Sequence, residues 1–181
     1  MTKATELMVD LETLGTSPGA QILSIGLCAF HLTEGIKETV EIVVDDPRGR
    51  IDRPTVEWWL KQEPAAQQVI SETFRVPIKQ GLEQFAQFVR THACVNFWSN
   101  GPTFDEMLLR HTWTRELPGT RFPTHFSASR CCRTAKMIAR KLKVKTPPVP
   151  QEYATAHRAD HDAARQALAV VALHKFLEAI A

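Results

Sequence analysis

The chain has 181 residues, of which 44% are hydrophobic and 23% charged, with a formal net charge of +2. That is the make-up of one soluble globular domain of ordinary size spanning residues 1–181, with enough apolar residues for a real core. It excludes a membrane span, since no apolar run is long enough, and a net charge this small says little about partners. No secretory leader is expected near the start, which points to a cytoplasmic protein. The four cysteines, Cys28, Cys94, Cys131 and Cys132, fit no zinc spacing and read as reduced thiols.

In chain order, "ELMVDLE" (6–12) reads as a strand, and the turn "TSPG" (16–19) separates it from a second strand over 21–30. A third strand covers 39–44. Three strands with short connections predict an antiparallel meander. Helices then follow. Thr55 is the expected N-cap for "VEWWLKQ", and Pro64 opens "AAQQVIS". After Pro77, the residues Ile78, Leu82, Phe85, Phe88 and Val89 form one apolar stripe. "CVNFWS" (94–99) is a fourth strand, and a helix is expected to begin near Pro102 or Thr103. The loop at 119–130 has room for a short strand. A basic helix is predicted over 133–142, a rigid "KTPPVP" connector follows, and a last amphipathic helix spans 162–180. Ala164, Leu168, Val171, Leu173, Phe176, Leu177 and Ile180 are its expected core contacts. The order predicts an α/β fold: a mixed central sheet, antiparallel in its first three strands, flanked by helices, with the first strand near the middle.

The chemistry-bearing residues fall in three places. Asp10 and Glu12 are two apart in the first strand, so they share a face and repel. Either one of them turns to solvent, or the pair holds a divalent metal, which prefers hard oxygen ligands. Asp105 opens a helix after a strand. It either complements the helix dipole or belongs to a site. His157, Asp160, His161 and Asp162 precede or open the last helix. There His157 and Asp162 converge only if the helix begins between them or His157 leans in from the loop. The small Ala163 and Ala164 leave room for an approaching group. Taken together, four carboxylates and a histidine on separate elements match what two-metal phosphodiester cleavage needs. The histidine would serve as proton acceptor.

Other residues admit two readings each. Trp58 and Trp59 are adjacent, about 100° apart on a helix, so one is core and the other is available to stack a base. Seven basic and no acidic residues lie between Arg130 and Lys145, with Arg133, Lys136, Arg140 and Lys143 at helical steps. They form either a solvated face or a phosphate-contacting one. Asn100 either bonds substrate or forms the turn, and Asp160 is a candidate cap for the last helix.

These motifs resemble those of the DEDDh 3′–5′ exonucleases, a family with the ribonuclease H-like fold. The first motif stands here as Asp10-Leu11-Glu12-Thr13, the second as "NGPTFDEMLL" with Asp105, and the third as His157 to Asp162. "DLETLGTSPGAQILSIGLCAF", "TVEWWLKQEPAAQQ" and "RCCRT" are similar to the family's compact branch, which includes a phage exonuclease and a mycobacterial exoribonuclease. The resemblance covers most of the chain, from about Leu7 to Leu177. It implies release of nucleoside 5′-monophosphates from a single-stranded DNA or RNA 3′ end, with two Mg²⁺ or Mn²⁺ ions. By the family's pattern Asp10, Glu12 and Asp162 hold one cation, Asp10 also the second, Asp105 assists, and His157 is the general base. Thr13, Leu14 and Gly15 would line the pocket of the 3′-terminal nucleotide, Leu14 as a wedge against the base. Relatives of this kind suggest a homodimer. Two other readings stand beside this one: an oligoribonuclease-like enzyme acting on short RNA, and a binding module that kept the fold without turnover.

Overall fold

The computed structural model describes residues 5–181. Residues 1–4, on which part of the expectation about a leader falls, lie outside the described residues. The strands are β1 (Thr5–Thr13), β2 (Ile22–His31), β3 (Gly35–Asp45), β4 (Val76–Pro77), β5 (Cys94–Ser99) and β6 (Ser129–Cys131). The helices are α1 (Arg53–Trp59), α2 (Pro64–Ser71), α3 (Ile78–Thr91), α4 (Asp105–Glu116), α5 (Cys132–Lys141) and α6 (Ala159–Ile180). The sheet runs β4-β3-β2-β1-β5-β6, so β1 is interior, as expected. β1, β2 and β3 are antiparallel, while β5 and β6 run parallel to β1.

β1 is covered on both faces, which explains its continuous apolar run. Leu7, Val9 and Leu11 pack with Leu82, Phe85, Leu108 and Trp113 of α3 and α4. Met8 packs on the opposite face with Cys28, Phe30 and the alanines of α5 and α6. By the two-residue period of a strand, Asp10 and Glu12 continue Met8's row toward α6. The apolar stripe of α3 is buried at all five expected positions.

Gly26 determines how near α6 comes. A Cβ built on it would stand 2.0 Å from the Ala159 carbonyl carbon and 2.5 Å from Asp160 N. Gly26 is also the cross-strand partner of Asp10. The first turn of α6 is thereby seated on the sheet beside the carboxylate pair.

Several expectations need correction. α1 begins at Arg53 with Asp52 at the N-cap position, so Thr55 lies inside the helix. Pro54, with its fixed φ, favours that earlier start. The two-residue edge strand β4 has no hydrophobic pattern of its own to announce it. α6 begins three residues before Asp162, and Asp160 does not cap it: the cap position is Arg158, which makes no side-chain cap bond. Ala163 and Ala164 are fully buried and serve close helix–sheet packing rather than leaving space for a ligand. At the far end of α6, Leu177 and Ile180 are exposed, because the helix outruns the sheet that buries its earlier turns. The four cysteines are free, with Cys28 and Cys132 buried. Among the described residues no helix is long and apolar enough to cross a membrane.

Candidate active site

Asp10 and Glu12 sit at the C-terminal end of β1, where pairing with β5 has already stopped at Val9–Ser99. Beyond that point Asp105, the first residue of α4, takes over: its Oδ1 accepts the Leu11 backbone N–H at 3.2 Å. From the other side, α6 brings Asp162 and Gln166. Gln166 Nε2 donates to Asp10 Oδ1 at 2.6 Å. His157 precedes α6 with φ at +56°, an uncommon conformation for a side-chain-bearing residue and one often kept at functional sites. Its backbone N–H donates to Asp162 Oδ2 at 2.9 Å. The helix therefore starts between His157 and Asp162, which is the arrangement that lets the two converge.

These groups line one trench of about 420 Å³, together with Asn100, Phe104, Arg133, Lys136 and Arg165. Ligand atoms of Glu12, His157 and Asp162 lie within 4.8 Å of one another. Burial, Asp105 and Glu12 push the Asp10 carboxyl well above its ordinary range, against the hydrogen bond from Gln166 and the charge of Lys136. Burial first, then Glu41 and Asp105, raises Glu12 to about 8. Burial raises Asp105 to about 6, opposed by backbone N–H bonds from Leu11 and Asn100 and by the charge of Arg133. Clustered oxygen donors that resist ionisation because they are buried together suit a hard divalent cation, which offsets both burial and repulsion.

The His157 ring packs edge-on against Trp58, with centroids 4.9 Å apart, and near Trp59 at 6.2 Å. Burial, then the charge of Arg165, lowers its pKa below the usual value of 6.5, so the imidazole is neutral at neutral pH. The two tryptophans have separate tasks. Trp59 is 1% exposed, and its Nε1 donates to the Thr13 carbonyl at 2.8 Å, whereas Trp58 is 42% exposed. Both line a second, more apolar hollow of about 810 Å³, with Thr13, Thr16, Asp52, Thr55 and Ile51. Leu11, Glu12 and Phe104 belong to both cavities.

Leu14 and Gly15 stand behind this hollow. Leu14 packs against Leu23, Trp59, Ala66 and Val69. Gly15 lets the Asp52 side chain approach, since a Cβ there would lie 2.7 Å from Asp52 Oδ2. On α5 only part of the basic stripe meets the site. Arg133 and Lys136 line the trench, while Lys143 lies past the end of the helix at φ +55°. The sequence reading missed Phe104, Arg165 and Gln166. The last two sit three and four residues after Asp162, so helical spacing marks them once Asp162 is placed on α6.

A mixed ribonuclease H-like sheet with carboxylates gathered at the end of its central strand is the architecture of the DEDDh 3′–5′ exonucleases. The 3′-5′ exoribonuclease Rv2179c-like domain family matches residues 5–174 by its family model, and the chain belongs to that family. An exodeoxyribonuclease of Enterobacteria phage T4 is 22% identical over 121 residues, 58% of this chain. The match spans about half of that relative's length, 53%. Two solved structures share the fold. The nuclease domain of 3′hExo, a DEDDh family member bound to rAMP, superposes with a TM-score of 0.61 at 11% identity, over 96% of this chain and 92% of that one. Cell-death related nuclease 4 (CRN-4) gives a TM-score of 0.59 at 14% identity, over 98% of this chain and 65% of that one.

Proposed function

We propose that the chain is a two-metal 3′–5′ exonuclease that removes nucleoside 5′-monophosphates from the 3′ end of single-stranded DNA or RNA. The observation that carries this reading is the meeting of Asp10, Glu12, Asp105, His157 and Asp162, from β1, α4, α6 and the loop before α6, in one trench. Asp10, Glu12 and Asp162, with Asp105 assisting, are the residues to hold two divalent cations, Mg²⁺ or Mn²⁺. When bound, the cations supply Lewis-acid activation of the phosphodiester and offset charge developing on the leaving oxygen.

The remaining work falls to the protein's own groups. His157, neutral at neutral pH, accepts the proton of the attacking water. The apolar hollow beside Glu12 seats the terminal nucleoside. Thr13 lines it and Trp58 offers an exposed ring for base stacking, while Leu14 and Gly15 support the wall from behind. A nucleoside monophosphate as occupant is consistent with the rAMP held by the 3′hExo nuclease domain. Arg133 and Lys136 contact backbone phosphates upstream of the reacting one, and Asn100, which lines the same trench, offers a further polar contact.

The test is digestion of 5′-labelled DNA and RNA strands of matched sequence, short and long, with Mg²⁺ and with Mn²⁺. Stepwise shortening from the 3′ end with mononucleotide release is expected, and it is lost in Asp10→Ala and Asp162→Ala. Full activity in both variants overturns the reading. Strand binding without any product in Mn²⁺ assigns a binding module instead, and strong preference for the shortest RNA assigns an oligoribonuclease-like enzyme.

A further inference from the structure

His157, its ring resting against Trp58, sits at the end of a stretch with little regular structure. Between α5 and α6 the only regular structure among residues 142–158 is one 3-10 turn, Gln151–Tyr153. Yet a general base must be placed to within a fraction of an ångström. His161 Nδ1 accepts the Thr155 backbone N–H at 3.3 Å, and Arg165, from the second turn of α6, ties the loop at more points. Its Nη1 donates to the Tyr153 carbonyl at 2.6 Å and the Thr155 carbonyl at 2.9 Å, four and two residues before His157. Its Nη2 pairs with Asp162. Asp162 in turn accepts the His157 backbone N–H. One guanidinium thus closes a ring of contacts: the loop carbonyls, Arg165, Asp162, and back to His157.

We propose that Arg165 is a positioning residue whose guanidinium ties the loop before His157 to the carboxylate cluster, setting where the imidazole stands over the scissile phosphate. The inference rests on the reading of His157 as the general base. Arginine suits the task because its planar fork presents several fixed donors to separate acceptors at once. Lysine keeps the charge but has a single, flexible ammonium, so it does not reproduce the two carbonyl bonds together with the carboxylate pair. The competing role is charge alone, since Arg165 also lies close enough to Glu12 to favour its ionised form. Arg165→Lys separates the two roles, and Arg165→Gln removes both.

The experiment uses the full chain. Hydrogen–deuterium exchange over residues 153–158 is measured on metal-free protein, and kcat and KM on a single-stranded substrate with Mn²⁺. For Arg165→Lys, faster exchange confined to 153–158 is expected, with kcat lowered by about tenfold to a hundredfold and KM within about threefold. Arg165→Gln should lose at least as much on both readouts. Wild-type exchange in Arg165→Lys overturns the proposal, as does a wild-type kcat, since either leaves charge as the residue's whole contribution. A wild-type protein that releases no mononucleotide, or a His157→Ala variant with full activity, overturns the exonuclease or general-base reading instead. The exchange result still decides whether Arg165 holds the loop.

Discussion

Gly26 on β2 and Ala159 at the start of α6 touch so closely that no side chain fits between them. Because Gly26 also faces Asp10 across the β1–β2 ladder, this contact sets the distance between the carboxylates of β1 and those of α6. Gly26→Ala should therefore lift the first turn of α6 from the sheet. Overpacking of this kind costs about 1–3 kcal/mol. The expected outcome is a lowered melting temperature together with weaker Mn²⁺ binding, read by calorimetry. Unchanged cation affinity would show that the helix start does not govern the site.

His157→Gln should leave substrate binding near normal and reduce kcat by about 10²- to 10⁴-fold, the usual contribution of a general base. Quantifying mononucleotide release at saturating substrate checks this. With wild-type protein, activity should also show an acid limb below pH 6.5, because His157 must lose its proton and its pKa is displaced downward. At saturating Mn²⁺, which keeps the carboxylates ionised, that limb should be missing from whatever rate His157→Gln retains.

The metal-free protein should become less stable as the pH rises from about 4.5 to about 8. Glu12 ionises near 4.5 when unfolded and near 8 when folded, so across that window the folded state carries the extra proton. Raising the pH then draws the equilibrium toward the unfolded chain. Denaturant melts across the window should show the slope in wild-type protein and a flatter profile in Glu12→Gln. Saturating Mn²⁺ should flatten it too, since a bound cation supplies the charge that Glu12 lacks.

Trp59→Ala and Trp58→Ala should differ in kind. The first removes a buried ring and its bond to Thr13, at a cost of about 3–5 kcal/mol in stability. The second removes an exposed ring and should change stability little while raising KM, by an amount equivalent to about 1–3 kcal/mol of stacking. Thermal denaturation and steady-state kinetics on both variants distinguish the two roles. Equal effects on stability would refute the division.

Much of this arrangement was legible in the residues. The buried β1 with two carboxylates on one face follows from alternation, and the α3 stripe follows from its periodicity. What escaped notice has physical causes. Arg158, Ala159 and Asp160 carry no apolar rhythm, and Asp160 offers a cap that it does not form, so the true start of α6 shows only in its contact with Gly26. Ala163 and Ala164 looked like space for a ligand because small size is ambiguous: it admits a ligand or a neighbouring strand, and only the packing decides. Trp58 and Trp59 are indistinguishable as adjacent letters. The indole bond to Thr13 and the burial around it separate them. Lys143 has the helical spacing of the basic stripe on α5 but stands outside the helix.

The stacking of His157 against the tryptophan pair gives the site its own optical reporter. A protonated imidazole quenches a neighbouring indole, and Trp58 lies edge-on to that ring at 4.9 Å. Intrinsic emission should therefore follow the histidine's titration and the arrival of a base in the hollow without any label. Trp58→Phe would leave the weaker response of Trp59, at 6.2 Å from the imidazole, over a steady background from Trp98 and Trp113, which line neither cavity.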